Sequence, residues 1–337
     1  MKTKNIEVYV PEADNGGIIL SANENPKNMP KEYMNEIEQM LKTFEFNRYP
    51  DTNCTELRKA YAAYCGEDYE RIICGNGSDE VIRLIITAFG GGGAGIVVHD
   101  PTFSMYDITN TCLGGKTIKI VSEDGVNADI EKIINTAKEE RAKIVFLCNP
   151  NNPTGSVFSR EELVKAIDAL KEQVVVVDEA YIEFGGESVI DLTGKKSNLI
   201  VLRTLSKVFG LSALRIGFGI GSKEIITELN RVKAPYNLNQ LSQNIGVIAL
   251  NHIDLIKTAA RELTEQRDKV FNELCGIEWL QAYAGNGNFI YIKADAQRVK
   301  KALNGKVAIR YFTDEYVRIT IGEKEENETL LKLLQEG

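Results

Sequence analysis

The rhythm of apolar and polar positions changes twice along this chain. Up to about Phe46 the sequence is polar and mixed, with one amphipathic segment around Tyr33–Leu41. From Thr55 helical spacing alternates with short apolar runs. Thr55–Cys65 sets Leu57, Ala60, Tyr61 and Tyr64 on one face, which predicts a helix. Ile72–Cys74 predicts a short strand, Ser78–Phe89 a helix capped by Ser78 or Asp79, and Ile96–His99 the next strand. Lys143–Cys148 and Val174–Val177 are unbroken apolar runs, as expected for strands covered on both faces of a parallel sheet, and a helix is predicted between them at Arg160–Glu172. Leu199–Leu202 and Ile216–Ile220 continue the series. Beyond about Tyr236 long helical segments take over, Leu241–Leu250 and Leu255–Leu274, followed by strand-like Phe289–Ile292 and Val317–Ile321.

Alternation of this kind predicts an α/β fold with an open, mostly parallel sheet. Residues 45–236 are expected to form the large domain. Residues 1–44 and 237–337 are expected to form a smaller α+β domain. The run Gly90–Gly95 fits G-x-G-x-x-G, but a dinucleotide loop needs a strand before it and a helix after it, and here the order is reversed. A plain helix-to-strand turn is the better reading. A net charge of −8 argues against a nucleic-acid or membrane-surface binder, and no apolar run approaches the ~20 residues of a membrane span. Cys54, Cys65, Cys74, Cys112, Cys148 and Cys275 form no C-x-x-C pair, with only His99 and His252 to join them, so no metal site is expected. With no signal-like segment, they read as reduced thiols in or near the core of a cytoplasmic protein.

Ligands of open parallel sheets bind beyond the carboxyl ends of the strands, so polar residues directly after apolar runs carry the chemistry. Four such endings stand out. Gly75-Asn76-Gly77-Ser78-Asp79 opens a helix and can seat an anion on its free N–H groups, although an ordinary capped helix reads the same way. Asn149-Pro150-Asn151-Asn152-Pro153 is a stiff polar turn able to aim an amide at a phenolate-like oxygen. Asp178-Glu179-Ala180-Tyr181 ends a buried strand, where a carboxylate is costly unless it meets a cation or caps a helix. The last is Arg203-Thr204-Leu205-Ser206-Lys207, followed by Arg215: hydroxyls and a guanidinium suit a phosphate, and Lys207 suits an imine. Phe103, after a further strand, can stack on a flat ring or pack in the core. Together these groups meet the needs of pyridoxal 5′-phosphate.

With Ala22-Asn23-Glu24-Asn25-Pro26, Asn47-Arg48-Tyr49-Pro50-Asp51, Pro101-Thr102-Phe103-Ser104-Met105-Tyr106 and Val317-Arg318-Ile319-Thr320-Ile321-Gly322 in the same order, the chain resembles the fold-type I pyridoxal-phosphate-dependent aminotransferases, in the branch acting on histidinol phosphate. The resemblance spans nearly the whole chain. It implies a seven-stranded sheet in the large domain and a covalent Schiff base between the cofactor and Lys207, which also moves the substrate proton. Asp178 would pair with the pyridine nitrogen, and Asn152 and Tyr181 would bond the ring oxygen. Phe103 would stack on the ring; Ser78, Asp79, Thr204, Ser206 and Arg215 would hold the phosphate. Tyr49 would reach the neighbouring subunit's cofactor, implying a homodimer with shared sites. Arg318, Arg310 and Asn23 would bind substrate.

The resemblance implies transamination between L-histidinol phosphate and a 2-oxo acid, 2-oxoglutarate, in histidine biosynthesis. Arg318 would take the carboxylate or phosphate, and Arg310 the extra phosphate charge; a strand-face salt bridge is the competing reading of Arg310. An aromatic or broad-specificity transaminase and a threonine-phosphate decarboxylase are alternatives on the same scaffold. A non-catalytic module of a transcription regulator would need a DNA-binding extension and is not expected here.

Overall fold

A computed structural model describes residues 17–91, 93 and 95–337. Residues 1–16 of the expected small domain, and Gly92 and Ala94 of the glycine run, lie outside the described residues. The twelve strands of the described residues are β1 (Ile18–Leu20), β2 (Ile72–Asn76), β3 (Gly95–Asp100), β4 (Lys116–Val121), β5 (Ile144–Cys148), β6 (Val174–Asp178), β7 (Leu199–Thr204), β8 (Ile216–Gly221), β9 (Gln281–Tyr283), β10 (Phe289–Lys293), β11 (Val307–Tyr311) and β12 (Tyr316–Thr320).

The larger sheet has seven strands in the order β2-β8-β7-β6-β5-β3-β4. Only β8 runs against its neighbours, so β2, β3, β5, β6 and β7 all end on one edge of the sheet, and β8 begins there. Every residue of β5, β7 and β8 is buried, which explains why they read as continuous apolar runs rather than alternating ones. Helices such as Ser78–Phe89 and Ile130–Glu139 cover its two faces, one cluster of buried apolar side chains on each side. The smaller sheet, β1-β11-β12-β10-β9, joins the two ends of the chain: β1 pairs in parallel with β11, Ile18 opposite Val307.

Several local expectations change. Neither Ser78 nor Asp79 caps its helix; Gly77, at φ +79°, takes the cap position without a side-chain bond. The helix begun by the Ser159–Glu162 capping box stops at Ala169 rather than Glu172. Asn198 satisfies the carbonyls of Ile167 and Leu170 there, and the chain turns directly into β6. The helix Gln240–Leu250 packs on the helices Thr55–Cys65 and Lys31–Leu41. Cys112 and Cys275 are exposed rather than near the core, and all six cysteines are unpaired. The glycine run does follow a helix and precede a strand.

Candidate active site

The carboxyl edge of the large sheet and the adjoining end of β12 enclose a cleft of about 440 Å³, within the usual range for small-molecule sites. Every site residue expected from the sequence lines it except Tyr49. Tyr49 lies elsewhere, 81% exposed and stacked on Tyr236 with ring centroids 4.5 Å apart. The cleft is lined by four cationic side chains (Lys207, Arg215, Arg310, Arg318) against two acidic ones (Asp79, Asp178), so an acidic protein presents an anion-attracting recess.

At one end, the first turn of Ser78–Phe89 meets the start of β8. Gly77 donates its N–H to the Arg215 carbonyl at 2.7 Å, closing the turn. Gly217 is obligatory at this closeness: a Cβ there would lie 2.2 Å from the Ser78 nitrogen. Thr204 Oγ1 donates to the Ile216 carbonyl at 3.1 Å, and Ser206 Oγ lies 3.0 Å from Thr204 Oγ1. Arg215 spans the gap, its Nη2 donating to Asp79 Oδ2 at 3.0 Å and its Nη1 to Ser206 Oγ at 3.5 Å. The start of this helix, two hydroxyls and a guanidinium therefore line one end of the cleft, a donor set that suits a phosphate.

Asp178 ends β6 in the middle of the cleft. Its Oδ2 accepts the Tyr106 hydroxyl at 2.7 Å and its Oδ1 the Ala180 N–H at 3.1 Å. Burial pushes its carboxyl up to about 6, and those two bonds only partly offset the cost of the charge. A cation beside it would favour its charged form. Tyr106, to which the sequence motif assigns no role, has a fully buried ring stacked on Phe146, with Phe103 edge-on at 5.6 Å. Tyr106→Phe is expected to cost the ligand-free protein about 1–2 kcal/mol at pH 8, one hydrogen bond to a charged group, and much less at pH 5 where Asp178 is protonated. Urea midpoints at the two pH values measure the difference.

Behind Asp178, Arg203 and Glu179 form a buried ion pair, with Nε and Nη2 donating to Glu179 Oε2 at 2.8 and 2.6 Å. Glu179 also accepts the Val189 N–H, and Glu183 accepts from Arg203 and Tyr64. The pair ties the ends of β6 and β7, the strands that carry Asp178 and lead to Lys207. Lys207 follows β7 in a bend closed by Gly210 N–H to Lys207 O and Leu211 N–H to Leu205 O; its Nζ is 3.4 Å from the Ala22 carbonyl and 5.3 Å from the Tyr181 ring centre.

Asn23 donates from Nδ2 to Tyr181 Oη at 2.9 Å, which leaves the tyrosine O–H to donate to a ligand. Asn152 Oδ1 accepts from Arg318 Nη1, so its amide N–H groups are what it offers. Arg318 is further fixed by the Ser21 carbonyl at 2.6 Å. Arg310 stands directly opposite Arg318 on β11, and the hairpin puts both into the cleft. Asn23 and Arg215 hold left-handed φ of 55° and 53°, a cost of roughly 1–3 kcal/mol each that clusters at functional sites. Thr320, which accepts the Asn23 N–H, and Asn288, which donates to its carbonyl, support that turn; Thr320 lies in a motif of the resemblance that assigns it no role, and Asn288 carries no signal in the sequence.

A phosphorylated pyridine aldehyde fits this donor set: cradle at one end, buried carboxylate at mid-cleft, hydroxyl and amide donors between, amine at the rim. Among the described residues no group of three His, Cys, Asp or Glu side chains could hold a metal ion, and no helix is long and apolar enough to cross a membrane.

The fold and cleft together define a fold-type I pyridoxal-phosphate transferase architecture. The family of class I and II aminotransferases matches residues 15–334, and the chain belongs to it. A histidinol-phosphate aminotransferase from Clostridium novyi is 38% identical over 330 residues, covering 96% of this chain and 92% of the relative. The crystal structure of the histidinol-phosphate aminotransferase from Sinorhizobium meliloti in complex with pyridoxal-5′-phosphate superposes with a TM-score of 0.90 at 22% identity, over 99% of this chain and 96% of that one. The Clostridium acetobutylicum enzyme of the same name gives 0.86 at 25% identity, over 95% and 98%.

Proposed function

We propose that this chain is a pyridoxal-phosphate-dependent transaminase exchanging the amino group of L-histidinol phosphate with 2-oxoglutarate, a step of histidine biosynthesis. The observation that carries the substrate reading is the pair Arg310 and Arg318, opposite each other on β11 and β12 and both lining the cleft. A donor ending in a phosphate brings about two negative charges, and two planar guanidiniums suit it better than one. The names of the curated relatives point the same way.

When bound, pyridoxal 5′-phosphate supplies an electron-withdrawing ring and an aldehyde carbon that takes up the amino group. Ser78 and Asp79 N–H groups, Thr204, Ser206 and Arg215 would hold its phosphate, and Phe103 would cover its ring. Asp178 would keep the ring nitrogen protonated, and Tyr181 and Asn152 would donate to the ring oxygen. Lys207 Nζ would tether the group, then serve as the base that takes the donor's Cα proton and returns it. Arg318 would orient the 2-oxo acid through its carboxylate. We also propose a homodimer, because Tyr49 stands outside its own cleft on an exposed surface with Phe46, suited to reach a neighbouring site. We place the enzyme in the cytoplasm, where six unpaired cysteines remain reduced.

Amino-donor assays with histidinol phosphate, phenylalanine and threonine phosphate test the reading. Turnover of histidinol phosphate with 2-oxoglutarate as acceptor is expected. Carbon dioxide release from threonine phosphate without any oxo acid would reassign the chain to a lyase. Arg310→Ala is expected to lower kcat/KM for histidinol phosphate by roughly 30-fold, one charge-assisted bond of about 2 kcal/mol, while glutamate changes less than three-fold. Equal losses on both would remove Arg310 from phosphate recognition.

A further inference from the structure

We propose that Phe312 selects amino donors that carry a flat ring. The inference rests on the transaminase reading and adds the residue that sorts its donors. Arg310 and Phe312 are two apart on an extended segment, so they face the same side, and Phe312 lines the cleft with Arg310 and Arg318. The Phe312 N–H donates to the Tyr316 carbonyl at 3.0 Å, fixing the residue at the mouth of the β11–β12 hairpin.

Its ring is held in place from two sides. The Arg318 guanidinium carbon is 5.6 Å from the ring centre, and Tyr291 meets the ring at 6.1 Å and 75°. Even so, the side chain stays 37% exposed, a large apolar surface beside a polar recess. Of the other rings in the cleft, Tyr181 lies by Lys207 and Phe103 packs edge-on to Tyr106, both at the end suited to the cofactor. On the arginine side, Phe312 is the aromatic wall among the described lining residues. A donor whose anionic end reaches Arg310 and Arg318 must lay its side chain along that wall. A ring gains an aromatic contact there; the flexible methylenes of glutamate gain little.

The test uses the cofactor-loaded enzyme and single-turnover half-reactions with histidinol phosphate and with glutamate. Phe312→Ala is expected to lose about ten-fold in kcat/KM for histidinol phosphate through KM, with glutamate within two-fold; ten-fold corresponds to about 1.4 kcal/mol, the scale of one good aromatic contact. Phe312→Tyr should restore wild-type values, and Phe312→Leu, which keeps apolar bulk without a ring face, should not. Inhibition by 3-phenylpropionate, an inert carboxylate bearing a ring, is followed against glutamate and should weaken about ten-fold in Phe312→Ala. Wild-type refusal of histidinol phosphate would sink the donor assignment alone, since the phenylpropionate comparison still reads the wall. An unchanged inhibition constant, or a parallel loss for glutamate, would overturn the role of Phe312.

Discussion

Replacing Lys207 with alanine is expected to abolish turnover, by about 10⁴-fold or more, while the protein still binds pyridoxal phosphate. General acid–base catalysis by a placed side chain accounts for roughly 10²–10⁴, and loss of the covalent tether adds to it. Binding survives because the cradle lies elsewhere: Gly77, Gly217, Ser206 and Arg215 do not depend on the lysine side chain. Borohydride should fix the cofactor to the wild type and not to the variant, which separates loss of the amine from misfolding. Small primary amines in solution should restore part of the rate. Near-normal turnover in Lys207→Ala would end the assignment of this residue.

Asp178→Asn is expected to lower kcat by about 10²–10³, the scale of one removed electrostatic partner in a dry site. Its effect on stability has the opposite sign in the ligand-free protein. Burial raises the folded-state carboxyl to about 6 from 3.8. Between about pH 4 and 6 the folded chain therefore holds a proton that the unfolded chain has released, and stability falls as pH rises through that window. Each pKa unit is worth about 1.4 kcal/mol, so above pH 6 the asparagine variant should be more stable than wild type by up to about 3 kcal/mol. Saturating cofactor should reverse the order, because a cationic ring nitrogen pairs with the carboxylate and not with the amide. Thermal melts of both proteins from pH 4 to 8, with and without cofactor, measure this. A ligand-free wild type that gains stability over that interval would contradict the burial argument.

The residues that announced themselves in the sequence are those at strand ends, where an unbroken apolar run gives way to hydroxyl, carboxylate or amine. Lys207, Asp178 and Ser78 were legible on that ground, because parallel strands buried on both faces leave one polar edge. What escaped depends on which strands lie side by side. The Tyr106–Asp178 bond spans 72 residues and exists because β3, β5 and β6 are adjacent. The Arg203–Glu179 pair likewise needs β6 beside β7. Strand β4 was silent for another reason: at the sheet edge it buries only Ile120, so no apolar run marks it. Ser78 reads as a cap in the sequence because hydroxyls favour that position; the glycine before it takes the place, so the first-turn N–H groups have no side-chain cap.

The turn at Asn23 has a consequence for how the protein is made. Ser21 and Asn23 meet Arg318 and Thr320 across 297 residues of sequence, so this side of the cleft cannot close until both segments have been synthesised. Domains fold as they leave the ribosome, and the large sheet can form before β12 emerges. A nascent chain halted before β12 would thus have the large-sheet side of the cleft without the Arg318 side.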